Sequence, residues 1–259
     1  MREVGADFQP SMVRAALRAI EPKSQTRRMD KGFGAWHPDA VRAEIISIDA
    51  GRVAAMPYDR FGRVLGGAVR CRYGAPGDRI YVREAWRVPA SLDAQSGSEI
   101  AAASLNAGYS SPWCPIQFDA DDARRNEWRG WDGLRDLKEP AVGRYRHARF
   151  MPRWASRLIL EVTALRVERL QNICRDDAIA EGLIHHRGTA EQWWGTGLEG
   201  DVPSLNTCRY LSPIECYRRL WESINGADAW DANPFVWVIG FRRVDAQERP
   251  AATDRQVAA

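Results

Sequence analysis

The sequence predicts an α+β fold, a small β-barrel with peripheral helices and long loop insertions. Two observations point that way. Short stretches of alternating apolar and polar residues recur along the chain, and helical periodicity is confined to a few segments between them. The order of these segments does not repeat as βαβ units. Of the 259 residues, 1–245 read as a single elaborated domain with an insertion over about 87–150, and 246–259 have the composition of a disordered tail.

The elements follow in order. Ser11 to Ile20 reads as a helix: Ser11 suits the N-cap, Met12, Ala16, Leu17 and Ile20 share one face, and Pro22 ends it. Glu44 to Asp49 and Arg52 to Met56 read as two strands joined at Ala50-Gly51. Arg60 to Tyr73 is rich in Gly and Arg and reads as loop. The turn Tyr73-Gly74-Ala75-Pro76-Gly77-Asp78 leads into a strand over Arg79 to Trp86. Pro89 to Pro112, small and polar, reads as a long surface insertion or mobile loop. Ile116 to Ala120 reads as a short strand. Arg124 to Lys138, charged and carrying Trp128 and Trp131, has no clear pattern. The clearest strand is Leu158 to Leu170. Arg175 to Ala180 reads as a short helix closed by Glu181-Gly182, with Gly182 in the C′ role. Ser212-Pro213-Ile214-Glu215 is a capping box opening a helix to Ile224, stopped at Asn225-Gly226. Phe235 to Val244 reads as the last strand.

Composition narrows the function classes. The apolar fraction of 45% and charged fraction of 27% are ordinary for a globular chain. Net charge is +3, short of a strong electrostatic footprint for nucleic acid, and nearly all the cations are arginine, whose planar fork suits phosphate and carboxylate. Five scattered cysteines without a C-x-x-C pair argue against a disulfide framework and a zinc knuckle. His185-His186 lacks partners at ligand spacing, so neither a metal nor a cofactor is expected. No apolar run reaches membrane-spanning length, and Met1-Arg2-Glu3 lacks a signal core. The expectation is a cytoplasmic protein with no membrane partner. Eleven tryptophans outnumber Phe and Tyr, at seven each; most belong in the core.

Chemistry concentrates in Lys23-Ser24-Gln25-Thr26-Arg27-Arg28, three cations and two hydroxyls in six residues. Such a segment can hold a phosphate or carbonyl oxygen, or supply a hydroxyl nucleophile beside an amine; it can also be a solvated basic turn. Arg83 and Glu84 are candidates to line a cleft, or an ion-paired strand edge. Arg153, Trp154 and Arg157 form a basic-aromatic patch suited to stacking a base and holding phosphate, with Trp154 as plug of a barrel end the other reading.

Together the segments Lys23 to Arg28, Gly77 to Glu84, Met151-Pro152-Arg153-Trp154-Ala155-Ser156-Arg157, Ala178-Ile179-Ala180-Glu181-Gly182 and Trp237-Val238-Ile239 resemble the ASCH family. That family is a branch of the PUA-like β-barrels associated with RNA, and the chain looks most like the larger members encoded by phages and prophages. The resemblance implies a PUA-like barrel and a partner that is a modified nucleoside or nucleic acid, RNA ahead of DNA. Some compact bacterial members are amidohydrolases that remove the acetyl group from N4-acetylcytidine, using a lysine, a threonine three residues later and a glutamate in an A-x-x-E context. By motif position these fall on Lys23, Thr26 and Glu181. Ser24, Arg27, Arg28, Arg83, Glu84, Arg153, Trp154 and Arg157 would then bind substrate. Two features depart from the pattern. Glu21-Pro22 stands where Gly-Arg usually precedes the lysine, and the chain is longer than the compact enzymes.

A threonine nucleophile needs a base, and lysine serves only if its pKa falls well below about 10.4. Arg27, Arg28 and burial would lower it, whereas Glu181 would raise it. Either Glu181 binds the exocyclic N–H and protonates the leaving amine, or Lys23 stays charged and stabilises an oxyanion. In an extended strand Lys23 and Thr26 point to opposite faces, so catalysis requires a turn between them. The alternatives are a noncatalytic RNA- or DNA-binding module of a phage or prophage, and a metal-independent ribonuclease.

Overall fold

The computed structural model describes residues 1–20, 22–48, 51–129, 139–187, 192–195 and 212–244, with the backbone alone at 185–187 and 192–195. The predicted tail over 246–259, the side chains of His185 and His186, Trp131 and Cys208 lie outside the described residues. The chain divides into two compact units. The first comprises Met1–Val4, Ala15–Ile80 and Leu160–Arg243, and the second Gly5–Arg14, Tyr81–Ile159 and Val244.

In chain order the elements are β1 (Glu3–Asp7), α1 (Pro10–Leu17), β2 (Gln25–Met29), β3 (Arg42–Ile48), β4 (Arg52–Tyr58), β5 (Val69–Arg70), β6 (Arg79–Arg83) and β7 (Trp86–Arg87). They continue with α2 (Gly97–Asn106), β8 (Ile116–Phe118), β9 (Arg124–Arg125), β10 (Ile159–Arg169), α3 (Arg175–Ala180), β11 (Ile184–Arg187), β12 (Gln192–Gly195), α4 (Pro213–Asn225) and β13 (Phe235–Arg243). The class is mixed α+β, as expected. Among the described residues no sheet closes into a barrel: one has the order β1-β6-β10-β13-β2, and the others are β3-β4-β5, β7-β8-β9 and β11-β12.

Several elements differ from the sequence reading: the stretch Arg60 to Tyr73, read as loop, contains β5, and the strand read over Arg79 to Trp86 ends at Arg83, with Trp86–Arg87 pairing separately with β8. The first helix starts at Pro10 and stops at Leu17, leaving Ile20 exposed. Proline fits the first turn because its missing N–H has no intrahelical partner there. The basic segment is not a solvated turn, since Gln25 to Met29 forms a strand on β13. The stretch read as an insertion loop contains α2, nucleated by a reciprocal capping box in which Ser96 Oγ accepts from the Glu99 N–H and Glu99 accepts from the Ser96 N–H.

The first unit is organised by β13. It pairs with β10 from Leu160↔Arg243 to Arg169↔Phe235, with an irregularity between Val162 and Ala164, and with β2 from Val236↔Met29 to Gly240↔Gln25. A central strand with ladders on both edges is buried on both faces, which explains its nearly unbroken apolar run. On one face, Val236 and Val238 pack into a core with Leu170, Ile173, Ala178, Leu183, Cys216, Tyr217, Trp221 and Trp230. This core receives α3 and the apolar stripe of α4, whose N-cap is Ser212 with Pro213 in the first turn. On the other face, Trp237 is fully buried, its ring centroid 5.5 Å from that of Phe33. In the second unit, Trp86, Val88, Ile100, Cys114, Ile116, Phe118, Met151 and Ala155 form a separate core. Cys71, Cys114, Cys174 and Cys216 are free thiols.

Candidate functional site

Three backbone hydrogen bonds fix the approach to β2. Lys23 N–H donates to Ala15 O (3.0 Å), Ser24 N–H to Ala180 O (2.9 Å), and Phe241 N–H to Ser24 O (2.8 Å). The segment is thus tied to the end of α1, the last turn of α3 and β13. Glu181 closes α3, its N–H on Asp177 O, and the chain then turns at Gly182 with φ +105°. A side chain at 182 has no room: a Cβ there would lie 2.9 Å from Ala15 Cβ and 3.2 Å from Lys23 Cβ. Glycine therefore lets the α3 exit press directly onto Lys23.

Lys23 and Glu181, 158 residues apart in sequence, meet as a result. Lys23 Nζ lies 2.6 Å from Glu181 Oε2 and 2.7 Å from Glu181 O. The two side chains are 0% and 1% exposed, so the pair is closed to solvent. Arg27, equally buried, brings Nη1 to 3.5 Å from Glu181 Oε1, and its Nη2 reaches Glu168 Oε1 (2.6 Å) and Asp177 Oδ2 (2.9 Å). Arg166 completes the cluster through Asp177 Oδ2 (2.6 Å), Glu168 Oε2 (3.1 Å) and Gln25 Oε1 (3.3 Å). Three cations face three carboxylates. The Arg27 guanidinium also lies 5.9 Å from the Tyr217 ring centroid.

Burial sets the electrostatics. It pushes the Lys23 pKa below its ordinary value, assisted by Arg28 and Arg27, and the contact with Glu181 only partly opposes this. Burial disfavours the charge on Arg27 too, yet Glu181, Tyr217 and Glu168 raise its pKa overall. At Asp177 burial works upward, but Arg166 and Arg27 outweigh it and hold the carboxyl at about 2. Tyr217 is pushed well above its usual range by burial and by Glu181. A lysine disfavoured as ammonium and hydrogen-bonded to a carboxylate can exchange a proton locally, which is what acid–base chemistry requires.

Thr26 is placed differently. Residues directly opposite in an antiparallel ladder share a face, and Arg27 is opposite Val238 whereas Thr26 is opposite Ile239. Arg27 therefore lies on the α3–α4 side of the sheet, and Thr26 and Arg28 lie on the Trp237 side. Thr26 is 2% exposed, and its buried Oγ1 has no hydrogen-bond partner among the described residues. The turn that a Lys23–Thr26 couple calls for is not formed from Gln25 onward, where the chain is extended. Ser24 is exposed.

The remaining candidates belong to the second unit. Glu84, 1% exposed, receives Nε and Nη2 of Arg157 at 2.8 Å each. Arg157 also binds Asp121 (2.8 and 3.0 Å) and lies 4.1 Å over the Phe118 ring. Burial raises the Glu84 pKa, with Arg157 opposing. Arg83 pairs with Asp7 (2.7 Å), and Arg153 lies 5.9 Å over Tyr81. Trp154 packs edge-on against Trp86 and donates its indole N–H to Gly97 O (3.3 Å). The Arg157 fork is thus occupied by carboxylates and Trp154 is a packing residue of this unit.

Sequence reasoning missed Arg166, Glu168, Asp177 and Tyr217. The first two carried a signal, as they lie two apart on β10, alternate with Leu165 and Val167, and so occupy one face of the sheet. Among the described residues, no group of three His, Cys, Asp or Glu is placed to hold a metal ion, and no helix is long and apolar enough to cross a membrane. In comparisons with known proteins, no family model, curated protein or solved structure matches this chain.

Proposed function

We propose that the chain is an ASCH-type, PUA-like protein of the larger phage or prophage kind, that it recognises a modified nucleobase, and that it hydrolyses an N-acyl group on cytidine with Lys23 and Glu181 as the acid–base pair. The observation that carries this reading is the convergence of Lys23 and Glu181 in a buried 2.6 Å contact. These are two of the three positions that the resemblance singles out. Lys23, disfavoured as ammonium, takes the proton of the attacking hydroxyl as oxygen adds to the acyl carbon. Glu181 receives the exocyclic N–H, and the proton held by the pair goes to the leaving amine as the C–N bond breaks. The attacking hydroxyl is that of a water molecule, whose oxygen stays on the acyl carbon, so the second product is a carboxylic acid and no acyl-enzyme has to be broken down. Because the pair is closed, substrate enters by replacing one of its contacts. The test is incubation of the purified protein with N4-acetylcytidine, in which release of cytidine and acetate is expected. No turnover, or turnover unchanged in Lys23→Ala and Glu181→Gln, overturns the reading.

A second reading is favoured by the placement of Thr26 on the opposite face of β2 from Arg27. Without an aligned hydroxyl the same site is a noncatalytic nucleobase or RNA-binding module, and its Lys23–Glu181 pair is architectural. Retention of RNA binding in the absence of any turnover, with Thr26→Ala indistinguishable from the parent in both assays, selects it.

A further inference from the structure

Between β4 and β5 lies a turn that neither reading uses. From Arg42 to Arg72 the sequence has six arginines against three acidic residues, an excess equal to the net charge of the whole chain, +3. At the tip, Phe61 is 70% exposed. The arginines on either side flank its ring, with Arg60 Cζ 4.6 Å and Arg63 Cζ 5.9 Å from the centroid. Among the described residues neither arginine is within ion-pair distance of a carboxylate, and Asp59 attracts Arg63 at longer range.

The turn is built on its own hydrogen bonds. Asp59 Oδ1 accepts the N–H groups of Phe61 (2.7 Å) and Arg63 (2.8 Å), while Asp59 N–H donates to Arg63 O (2.9 Å) and Gly62 N–H to Asp59 O (3.2 Å). Gly62 adopts φ +83°, and Tyr58 bridges to Val64 across the base. An aromatic ring held in water by four local hydrogen bonds contributes nothing to a core. Its apolar face is lost from burial and is already organised to meet a partner.

From this geometry we infer that the Asp59–Val64 tip is a contact site for single-stranded nucleic acid, with a base stacking on Phe61 and the Arg60 and Arg63 guanidinium groups on the adjacent phosphates. Every base has a π-face, so such stacking tolerates sequence, and arginine forks match phosphate oxygens. An acidic peptide would use the arginines but leave the phenyl ring idle. A bilayer surface would need more apolar area than one ring beside the half-exposed Val64 provides. The inference rests on the nucleic-acid side of the proposed function and is independent of Lys23 chemistry. If the tip acts as described, the modified base is met within a polynucleotide.

The experiment is fluorescence anisotropy of the full chain with labelled single-stranded 20-mers of RNA and of DNA over a range of salt. Phe61→Ala is expected to weaken binding about tenfold, and Phe61→Trp to restore it. Arg60→Ala with Arg63→Ala should make the log–log salt dependence shallower by about 1.4. Thermal melts of these surface variants should superimpose on the parent, and their hydrolysis of free N4-acetylcytidine should be unchanged, which separates failure here from failure of the Lys23 reading. Parent-like binding by Phe61→Ala overturns the inference. So does equal competition by polyglutamate, or Phe61-dependent pelleting with phosphatidylserine vesicles that exceeds oligonucleotide binding.

Discussion

Lys23 Nζ touches Glu181 twice, at the carboxylate (2.6 Å) and at the backbone carbonyl (2.7 Å), so one side-chain nitrogen both engages the carboxylate and caps the end of α3. That double contact makes the pair a structural element as well as a chemical one, and it shapes what substitutions do.

Among the described residues, Lys23→Met leaves the buried Glu181 carboxylate with the long Arg27 contact at 3.5 Å as its ion pair. A destabilisation of about 3 to 5 kcal/mol is expected. Lys23→Met combined with Glu181→Leu removes both charges and should cost much less than the two single changes together. Urea unfolding of the double-mutant cycle measures the difference.

Asp177 gives the fold an acid limb. Its carboxyl is held at about 2 in the folded chain against an ordinary 3.8. The unfolded chain binds the proton first, so this group's contribution is complete above about pH 4 and lost as pH falls toward 2. Asp177→Asn should flatten the fall of the urea midpoint across that interval, at the expense of a lower midpoint at neutral pH.

Gly182→Ala combines a positive φ with a steric conflict against Ala15 and Lys23. The left-handed backbone alone costs an alanine roughly 1–2 kcal/mol. The melting temperature should fall, and, if the proposed hydrolysis holds, N4-acetylcytidine turnover should fall further than in a surface glycine variant such as Gly51→Ala, because the added Cβ pushes on Lys23 itself.

In the second unit, Arg157→Lys should behave almost as badly as Arg157→Met. Lysine cannot supply the two parallel hydrogen bonds that Glu84 receives at 2.8 Å, nor the two to Asp121. A loss of roughly 3 kcal/mol is expected for each, read by thermal or urea unfolding. Rescue by lysine would show that charge alone is what Glu84 requires.

Much of the secondary structure was legible in local chemistry. β10 announced itself by alternation, α3 by Gly182 and α4 by the Ser212 box. α2 was equally legible through Ser96 and Glu99, but its Ala- and Ser-rich body has no apolar stripe to distinguish it from loop. β2 was not legible: Gln25-Thr26-Arg27-Arg28-Met29 has the composition of a solvated turn, and it is a strand through its ladder with the distant β13, its Arg27 buried against distant carboxylates. The motif positions of Lys23 and Glu181 anticipated their contact. Nothing local told that Thr26 would lie across the sheet, since facing depends on where the strand begins and which residues of β13 it opposes.

Among the sheet's strands, β2 ends the order and has β13 as its ladder partner. A ribosome therefore extrudes Gln25 to Met29 long before Phe235 to Arg243 exists to dock it. Until then the nascent chain carries an unmated, arginine-bearing edge whose charges keep it in water and discourage misassembly. Pairing of elements so distant in sequence closes a long loop, and contacts of that kind slow folding.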